Sequence, residues 1–270
     1  MTGIINWTQL RHAMLLSTHR IDFCSVAYWD KQAKTFNENT VQMEDLTQKQ
    51  LNRLILSPEC TVLDVGAGTG RITIPLAKYA KHVTALEPSA NMMALLKANV
   101  QKENIKNIQC LHTSIEDVDA TDIETHDIVL SSFSLLMVDV GKALLKMDAL
   151  ATKGVYVFLS ASKWMDEEMR NIVYGEGFSG LDFPDHIYVV NILQELGISA
   201  NVDIFNFQSQ QCYKNLDDAV SKVMQQYSIS LTKQDELRAY LAKILVQDSD
   251  GKLWLYRKKK AALIWWTKNL

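Results

Sequence analysis

The chain has no cysteine pair, no long apolar run and no large excess of either charge. Each absence removes a class of protein. Its four cysteines, Cys24, Cys60, Cys110 and Cys212, are scattered and form no C-x-x-C pair. They read as reduced thiols of a cytoplasmic protein, not as a disulfide framework or a zinc site. Of the six histidines only His12 and His19 share a helical face at close spacing, with no third ligand near them, so no metal is expected. No apolar stretch approaches the roughly 20 residues that cross a bilayer. Asn6, Gln9, Arg11 and His12 break any apolar start of the kind a secretion signal carries, so export is not expected. A net charge of −3 gives no overall pull toward nucleic acid or an anionic membrane. Repeats, proline-rich linkers and low-complexity tracts are missing too. The 270 residues therefore fit one large domain, or one domain with a packed-on lobe.

Two rhythms fill the chain. Up to about residue 57, apolar positions recur at helical spacing: Ile4 to Leu15, Ser25 to Lys34, and Asp45 to Leu56, with Ser57-Pro58 as a stop. This predicts an N-terminal helical cap over residues 1–57. From Thr61 strands and helices alternate, the pattern of a parallel sheet. Strands are predicted at Thr61–Val65, Val83–Leu86, Ile108–Leu111, Asp127–Ser132 and Gly154–Ser160. Helices are predicted at Gly70–Tyr79, with Pro75 delaying or kinking it, at Ser89–Val100 and at Val140–Leu150. After Ser160 the pattern loosens. A substrate-side insertion is expected at about 162–200, containing a glycine-rich loop, Gly175 to Gly180, that reads as a lid hinge or an ordinary surface loop. A helix from Pro184 to Leu196 ends at Gly197. Val202–Phe207 reads as a strand, Leu216–Gln226 and Lys233–Leu245 as helices. Leu253–Tyr256 and Ala261–Trp266 read as two strands or one long one.

The chemistry is concentrated at Asp64-Val65-Gly66-Ala67-Gly68-Thr69-Gly70, a strand running into three alternate glycines and a helix. Glycine admits positive φ and lets a ligand approach the main chain, and open α/β sheets bind nucleotides at such turns. A dinucleotide turn, G-x-G-x-x-G, would need glycine at Arg71 or Thr73, and a P-loop would need Gly-Lys-Ser/Thr; the chain has neither. What remains is D-x-G-x-G-x-G, with a carboxylate where a pyrophosphate would sit. That disfavours a phosphate and suits a cationic ligand such as a sulfonium.

This segment resembles motif I of the class I S-adenosylmethionine-dependent methyltransferases. Glu87, seventeen residues past Gly70, stands where that family holds the ribose hydroxyls. Ser114-Ile115-Glu116-Asp117 follows the third strand, where the family surrounds adenine, although Ser114 replaces the usual aspartate. Asp127–Ser132 is similar to the strand whose end approaches the methionine part. The resemblance is strong over about residues 58–160 and weak around Tyr28-Trp29-Asp30. It implies a doubly wound α/β fold, a seven-stranded mostly parallel Rossmann-like sheet of order 3-2-1-4-5-7-6 with the last strand antiparallel, occupying residues 58–270. It also implies S-adenosylmethionine as donor and S-adenosylhomocysteine as product. The implied cofactor residues are Asp64, Gly66, Ala67, Gly68, Thr69, Gly70, Glu87, Pro88, Ser114, Ile115, Glu116, Ser131 and Tyr28.

The acceptor side is harder to read. Tyr28, Trp29 and Phe36 are candidates to face the sulfonium through their rings, or are ordinary core aromatics. Asp185 and His186 follow the glycine-rich loop; with Tyr28 they are the catalytic candidates, and a capping or surface position is the alternative for the histidine. Ser134 is either an acceptor-site residue or a loop hydroxyl. The run Arg257-Lys258-Lys259-Lys260, among Trp254, Tyr256, Trp265 and Trp266, raises nucleic acid, but a charge run usually marks a solvated turn. A small-molecule acceptor is therefore expected. RNA, a protein, or non-catalytic binding of the donor are the alternatives.

Overall fold

Val62, Leu63 and Val65 are almost fully buried, and the strand they form, β1 (Thr61–Val65), has strands on both sides and helices on both faces. Burying such side chains contributes about 1.5–3 kcal/mol each. In this computed structural model residues 5–17, 20–119, 122–163, 165–177 and 184–268 are described. His19 and Phe178 to Gly180 fall outside them, and with them part of the proposed His12–His19 pair and of the glycine-rich loop.

The chain begins with α1 (Trp7–Ser17), α2 (Val26–Thr40) and α3 (Glu44–Leu51), joined by short 3₁₀ turns. Around β1 stand β2 (His82–Leu86), β3 (Ile108–Leu111), β4 (His126–Ser132) and β5 (Ala151–Ser160), with α4 (Thr73–Leu76), α5 (Ala90–Lys102) and α6 (Val140–Leu150) between them. Then follow α7 (Glu167–Tyr174), α8 (Asp185–Glu195), β6 (Asn201–Tyr213), α9 (Leu216–Tyr227), α10 (Gln234–Ile244), the two-residue β7 (Val246–Gln247) and β8 (Leu253–Thr267).

The sheet order is β3-β2-β1-β4-β5-β8-β6, with β7 paired to β8. All pairs from β3 to β5 are parallel, and β8 runs antiparallel to both β5 and β6. Apart from β7, this is the doubly wound order expected. Registers Val65↔Leu86, Leu86↔Leu111 and Val65↔Ser131 bring the carboxyl ends of β1 to β4 level with one another. Period-two alternation splits the core. Leu63, Val65, Val129, Val155 and Val157 face α1, α6 and α8. Val62, Ile128, Leu130, Tyr156 and Phe158 face α3 and the α4 region.

Three expectations are corrected. The helix after the glycine turn is reduced to Thr73–Leu76 flanked by turns. Pro75 has no N–H for the Arg71 carbonyl, so the helix starts late. The strand expected at Val202–Phe207 runs on to Tyr213. Arg257–Lys260 is no turn: it lies inside the single long strand β8, opposite Asn206 to Ser209 of β6. Because β5 ends at Ser160 opposite Ala261, the β6–β8 ribbon overhangs the sheet's carboxyl edge. α7, α9 and α10 pack on the overhang through Met169, Ile172, Val223, Leu237 and Leu241.

Candidate functional site

The carboxyl ends of the strands open into one cleft of about 540 Å³, walled by the strand ends, the N-terminal helices and the β6–β8 ribbon. The three glycines of the turn serve different ends. A Cβ on Gly66 (φ +73°) would lie 2.4 Å from the Ser134 Cβ, so this position keeps room for the loop after β4. A Cβ on Gly70 (φ +94°) would meet Leu96 at 2.7 Å and Ile74 at 3.0 Å, so it closes the turn onto α5. Gly68 (φ +58°) has only Phe36 nearby, at 3.6 Å, and faces the cleft.

Glu87 locks this turn to the end of β2. Its Oε2 accepts the Gly68 N–H (2.7 Å) and its Oε1 accepts the Ser89 N–H (2.8 Å). Burial raises its pKa, and those two donors partly oppose the rise. Each carboxylate oxygen accepts two hydrogen bonds, so acceptor capacity remains toward the cleft. After β3, the Ser114 Oγ donates to Asp117 Oδ2 (2.7 Å) and accepts the Asp117 N–H. Lys146 of α6 holds that loop from below, donating to the carbonyls of Ile115, Glu116 and Val118 at 2.6–3.0 Å.

The cap straddles the cleft. On one side Asp30 of α2 accepts from the Ser89 Oγ and from the Asn91 N–H (3.0 Å). On the other, Asp45 of α3 accepts the Gln208 N–H of β6 (2.8 Å). Arg53 donates to Asp203 (2.7 Å) and covers the Phe205 ring. Beneath lies Arg71, which donates to Thr47, Gln50 and Ser132 at 2.7–2.8 Å. Burial lowers its pKa to about 10, and the nearby Asp64 charge opposes this. On the cap's inner side Phe23, Tyr28, Trp29 and Phe36 form a chain of ring contacts, tilted between Phe23 and Tyr28 and edge-to-face from Tyr28 to Phe36, each bordering the cleft.

Of the residues expected from the sequence to hold a donor, Gly66, Ala67, Gly68, Glu87, Pro88, Ser114, Ile115, Glu116 and Tyr28 line this cleft. Asp64, Thr69, Gly70 and Ser131 stand behind its wall. Asp64 is fully buried and accepts the Thr73 hydroxyl (2.6 Å); desolvation raises its pKa to about 6. Its charge is thus felt through the turn, not presented to the cleft. Ser131 bonds Ser134 (2.8 Å), and the Ser134 hydroxyl in turn donates to the Val65 carbonyl.

The catalytic candidates Asp185 and His186 are not on the cleft. Asp185 borders a small separate cavity beside Arg11 and Leu15. The His186 Nδ1 lies 3.4 Å from the Ser160 carbonyl, and burial lowers its pKa. The start of α8 lies on the α1 side, which draws both away. Sequence reasoning gave no site role to Arg71, Lys146 and Phe207, of which only Arg71 adjoins a recognised motif, and it read Lys259 only as part of a solvated basic run. Among the described residues no three of His, Cys, Asp and Glu come together as a metal site, and no helix is long and apolar enough to cross a membrane.

A mostly parallel α/β sheet with a glycine turn and an acidic β2 end beside a covered cleft is the architecture on which open α/β sheets bind nucleotides. The family model described as "Methyltransferase domain" matches residues 62–154. A Haemophilus influenzae protein described as uncharacterized is 27% identical over 266 residues, 97% of this chain and 96% of that one. A probable cobalt-precorrin-6B C(15)-methyltransferase of Methanocaldococcus jannaschii is 33% identical over 29% of this chain and 43% of its own length. A 23S rRNA (uracil(1939)-C(5))-methyltransferase of Alteromonas mediterranea is 32% identical over 37% of this chain and 20% of its own. The solved structure of a putative methyltransferase from Bacillus halodurans superposes with a TM-score of 0.57 at 14% identity, covering 83% of this chain and 99% of that one. Residues 62–154 thus match a methyltransferase domain, and the fold as a whole is that of the Rossmann-like methyltransferases.

Proposed function

We propose that this chain is a cytoplasmic enzyme that transfers a methyl group from S-adenosylmethionine to a small-molecule acceptor. The observation that carries the reading is the Glu87–Gly68 pair at the acidic end of a cleft that the cap roofs over. The residues fit the donor. Glu87 keeps acceptor capacity for ribose hydroxyls. The loop Ser114 to Asp117, with Pro88 and Ile115, forms a slot for adenine. Gly66, Ala67 and Gly68 let the methionine part approach the backbone. Tyr28, Trp29 and Phe36 present rings to a sulfonium, an attraction of roughly 0.5–2 kcal/mol.

When bound, S-adenosylmethionine supplies an electrophilic methyl group with a neutral thioether as leaving group. The protein's share is then alignment of donor and acceptor and exclusion of water. Orientation of this kind supplies about 7–11 kcal/mol in favourable cases. The cap's bonds to α5 on one side and β6 on the other hold that roof in place. The closure favours a small acceptor over a duplex or a folded protein. The precorrin and rRNA enzymes each match only part of this chain, so neither name carries an acceptor across.

Calorimetry with S-adenosylhomocysteine tests the donor; no binding removes the reading. A labelled methyl-transfer screen over metabolite, RNA and protein pools tests the acceptor. Label in the metabolite pool is expected, and label confined to RNA or protein would replace the small molecule. Donor binding with no transfer to any pool would leave a non-catalytic binding protein.

A further inference from the structure

Donor binding leaves the basic run on β8 without a use. Inside the strand its residues alternate. Lys258 and Lys260 are exposed, while Arg257 and Lys259 turn to the less exposed face, where Ser209 and Phe207 stand directly opposite them on β6. Arg257 is taken up by α10, where it donates to the Tyr240 hydroxyl (3.3 Å). Lys259 instead borders the cleft. Among the described residues no carboxylate pairs with its ammonium and no side-chain hydrogen bond engages it.

Apart from Arg71 after β1, whose guanidinium is taken up by Thr47, Gln50 and Ser132, the charges of the cleft divide along the strand order. Its acids, Glu87, Glu116 and Asp117, follow β2 and β3. Lys163, just past β5, and Lys259 on β8 stand at the opposite end. Neither lysine has an acidic partner among the described residues. Ser160, Ser162 and Ser209 lie beside them.

We propose that the methyl acceptor carries an anionic group, a carboxylate or a phosphate ester, and that Lys259 binds it at the β8 end of the cleft. The inference rests on the methyltransferase reading of the same cleft and names its substrate class. Lys259 is half-buried, and a cation withdrawn from water without a counter-ion is costly. Burial and the Arg257 charge two residues away lower the Lys259 pKa to about 8, a strain that an anion would relieve. A lysine serving only to cover apolar surface would carry its ammonium out to open solvent. Here Lys259 lines the cleft, and the lysines that do reach open solvent, Lys258 and Lys260, lie on the opposite face.

The test is a binding panel on the full chain, with and without saturating S-adenosylhomocysteine. Benzoate and phenyl phosphate are compared with their neutral counterparts benzamide and benzyl alcohol. Each anion is expected to bind at least about tenfold tighter than its counterpart, the range of a charge-assisted hydrogen bond. Lys259→Met should abolish that preference and leave S-adenosylhomocysteine affinity unchanged. Lys259→Arg should retain the preference, which also controls for folding. Lys258→Met and Lys260→Met should have no effect. The ratio of benzoate to phenyl phosphate affinity separates carboxylate from phosphate. The inference is overturned if neutral and anionic probes bind alike, or if Lys259→Met keeps the preference. It is equally overturned if the preference follows Lys258 and Lys260, the pattern of a polyanion on the outer face. Failure of the wild-type chain to bind S-adenosylhomocysteine would sink the donor reading instead, and the panel without it reads the anion site separately.

Discussion

The Gly68 N–H points into the carboxylate of Glu87 at 2.7 Å, joining the turn after β1 to the end of β2. One carboxylate thereby shapes the turn and faces the cleft. The first prediction follows from that double duty. Glu87→Gln keeps an acceptor for Gly68 but loses the charge. Glu87→Ala loses both and leaves the N–H groups of Gly68 and Ser89 unpaired. We expect S-adenosylhomocysteine affinity to fall about tenfold in the first and about a hundredfold in the second. Because Glu87→Gln turns an NH2 toward the Ser89 N–H, both variants should also lose stability, about 1–3 kcal/mol, the alanine more than the glutamine. Calorimetry and urea unfolding check the two readouts.

The glycines should separate in the same way. At positive φ, Gly66→Ala collides with the backbone-held Cβ of Ser134, and Gly70→Ala with the side-chain ends of Leu96, packed in the core, and Ile74. Each should destabilise the fold by more than about 2 kcal/mol. Gly68→Ala bears the backbone strain alone, of order 1 kcal/mol, yet adds a methyl group at the cleft. It should weaken donor binding more than it lowers the melting temperature. Equal losses at all three positions would contradict the division of labour.

Asp64 gives a pH prediction. Its neighbours are the Thr73 hydroxyl and the charges of Arg71 and Glu87, and burial dominates, raising its pKa to about 6. Between the unfolded value and about 6, the folded chain binds the proton that the unfolded chain has released. Stability therefore falls as pH rises through that window, by about 3 kcal/mol in total, with about half of this between pH 5 and 7. Asp64→Asn removes the contribution. The slope of stability against pH, from urea unfolding, should be less negative in the variant than in the wild type; identical slopes would place the ionisation elsewhere.

Asp30 ties the cap to the start of α5 through Ser89 and Asn91. Asp30→Ala should loosen the roof without disturbing the sheet. We expect weaker donor binding and faster proteolysis within residues 26–40, with little change in the melting temperature. Unchanged proteolysis and affinity would mean that the bonds from Asp45 and Arg53 to β6 hold the cap by themselves.

The sequence by itself determined the strand–turn–helix at Asp64–Gly70, the spacing to Glu87, the Ser89 cap of α5 and the alternation that makes the sheet parallel. These features are legible because each depends on neighbours within one or two adjacent elements: glycine's access to positive φ, a hydroxyl that caps a helix, apolar runs that need cover on both faces. The tertiary structure decided what faces the cleft. Asp64 and Ser131 withdraw behind the wall because the packing of Thr73 and Ser134 claims them. Asp185 and His186 leave with α8. Lys259 enters because β8 pairs with β5 for only part of its length and then continues with β6 alone. Arg71 becomes the cap's anchor by meeting Thr47 and Gln50, more than twenty residues earlier in the chain. Such placements come from long-range pairing and burial, and no local propensity encodes them. The donor end of the site was therefore readable from the chain, and the acceptor end was built only by the fold.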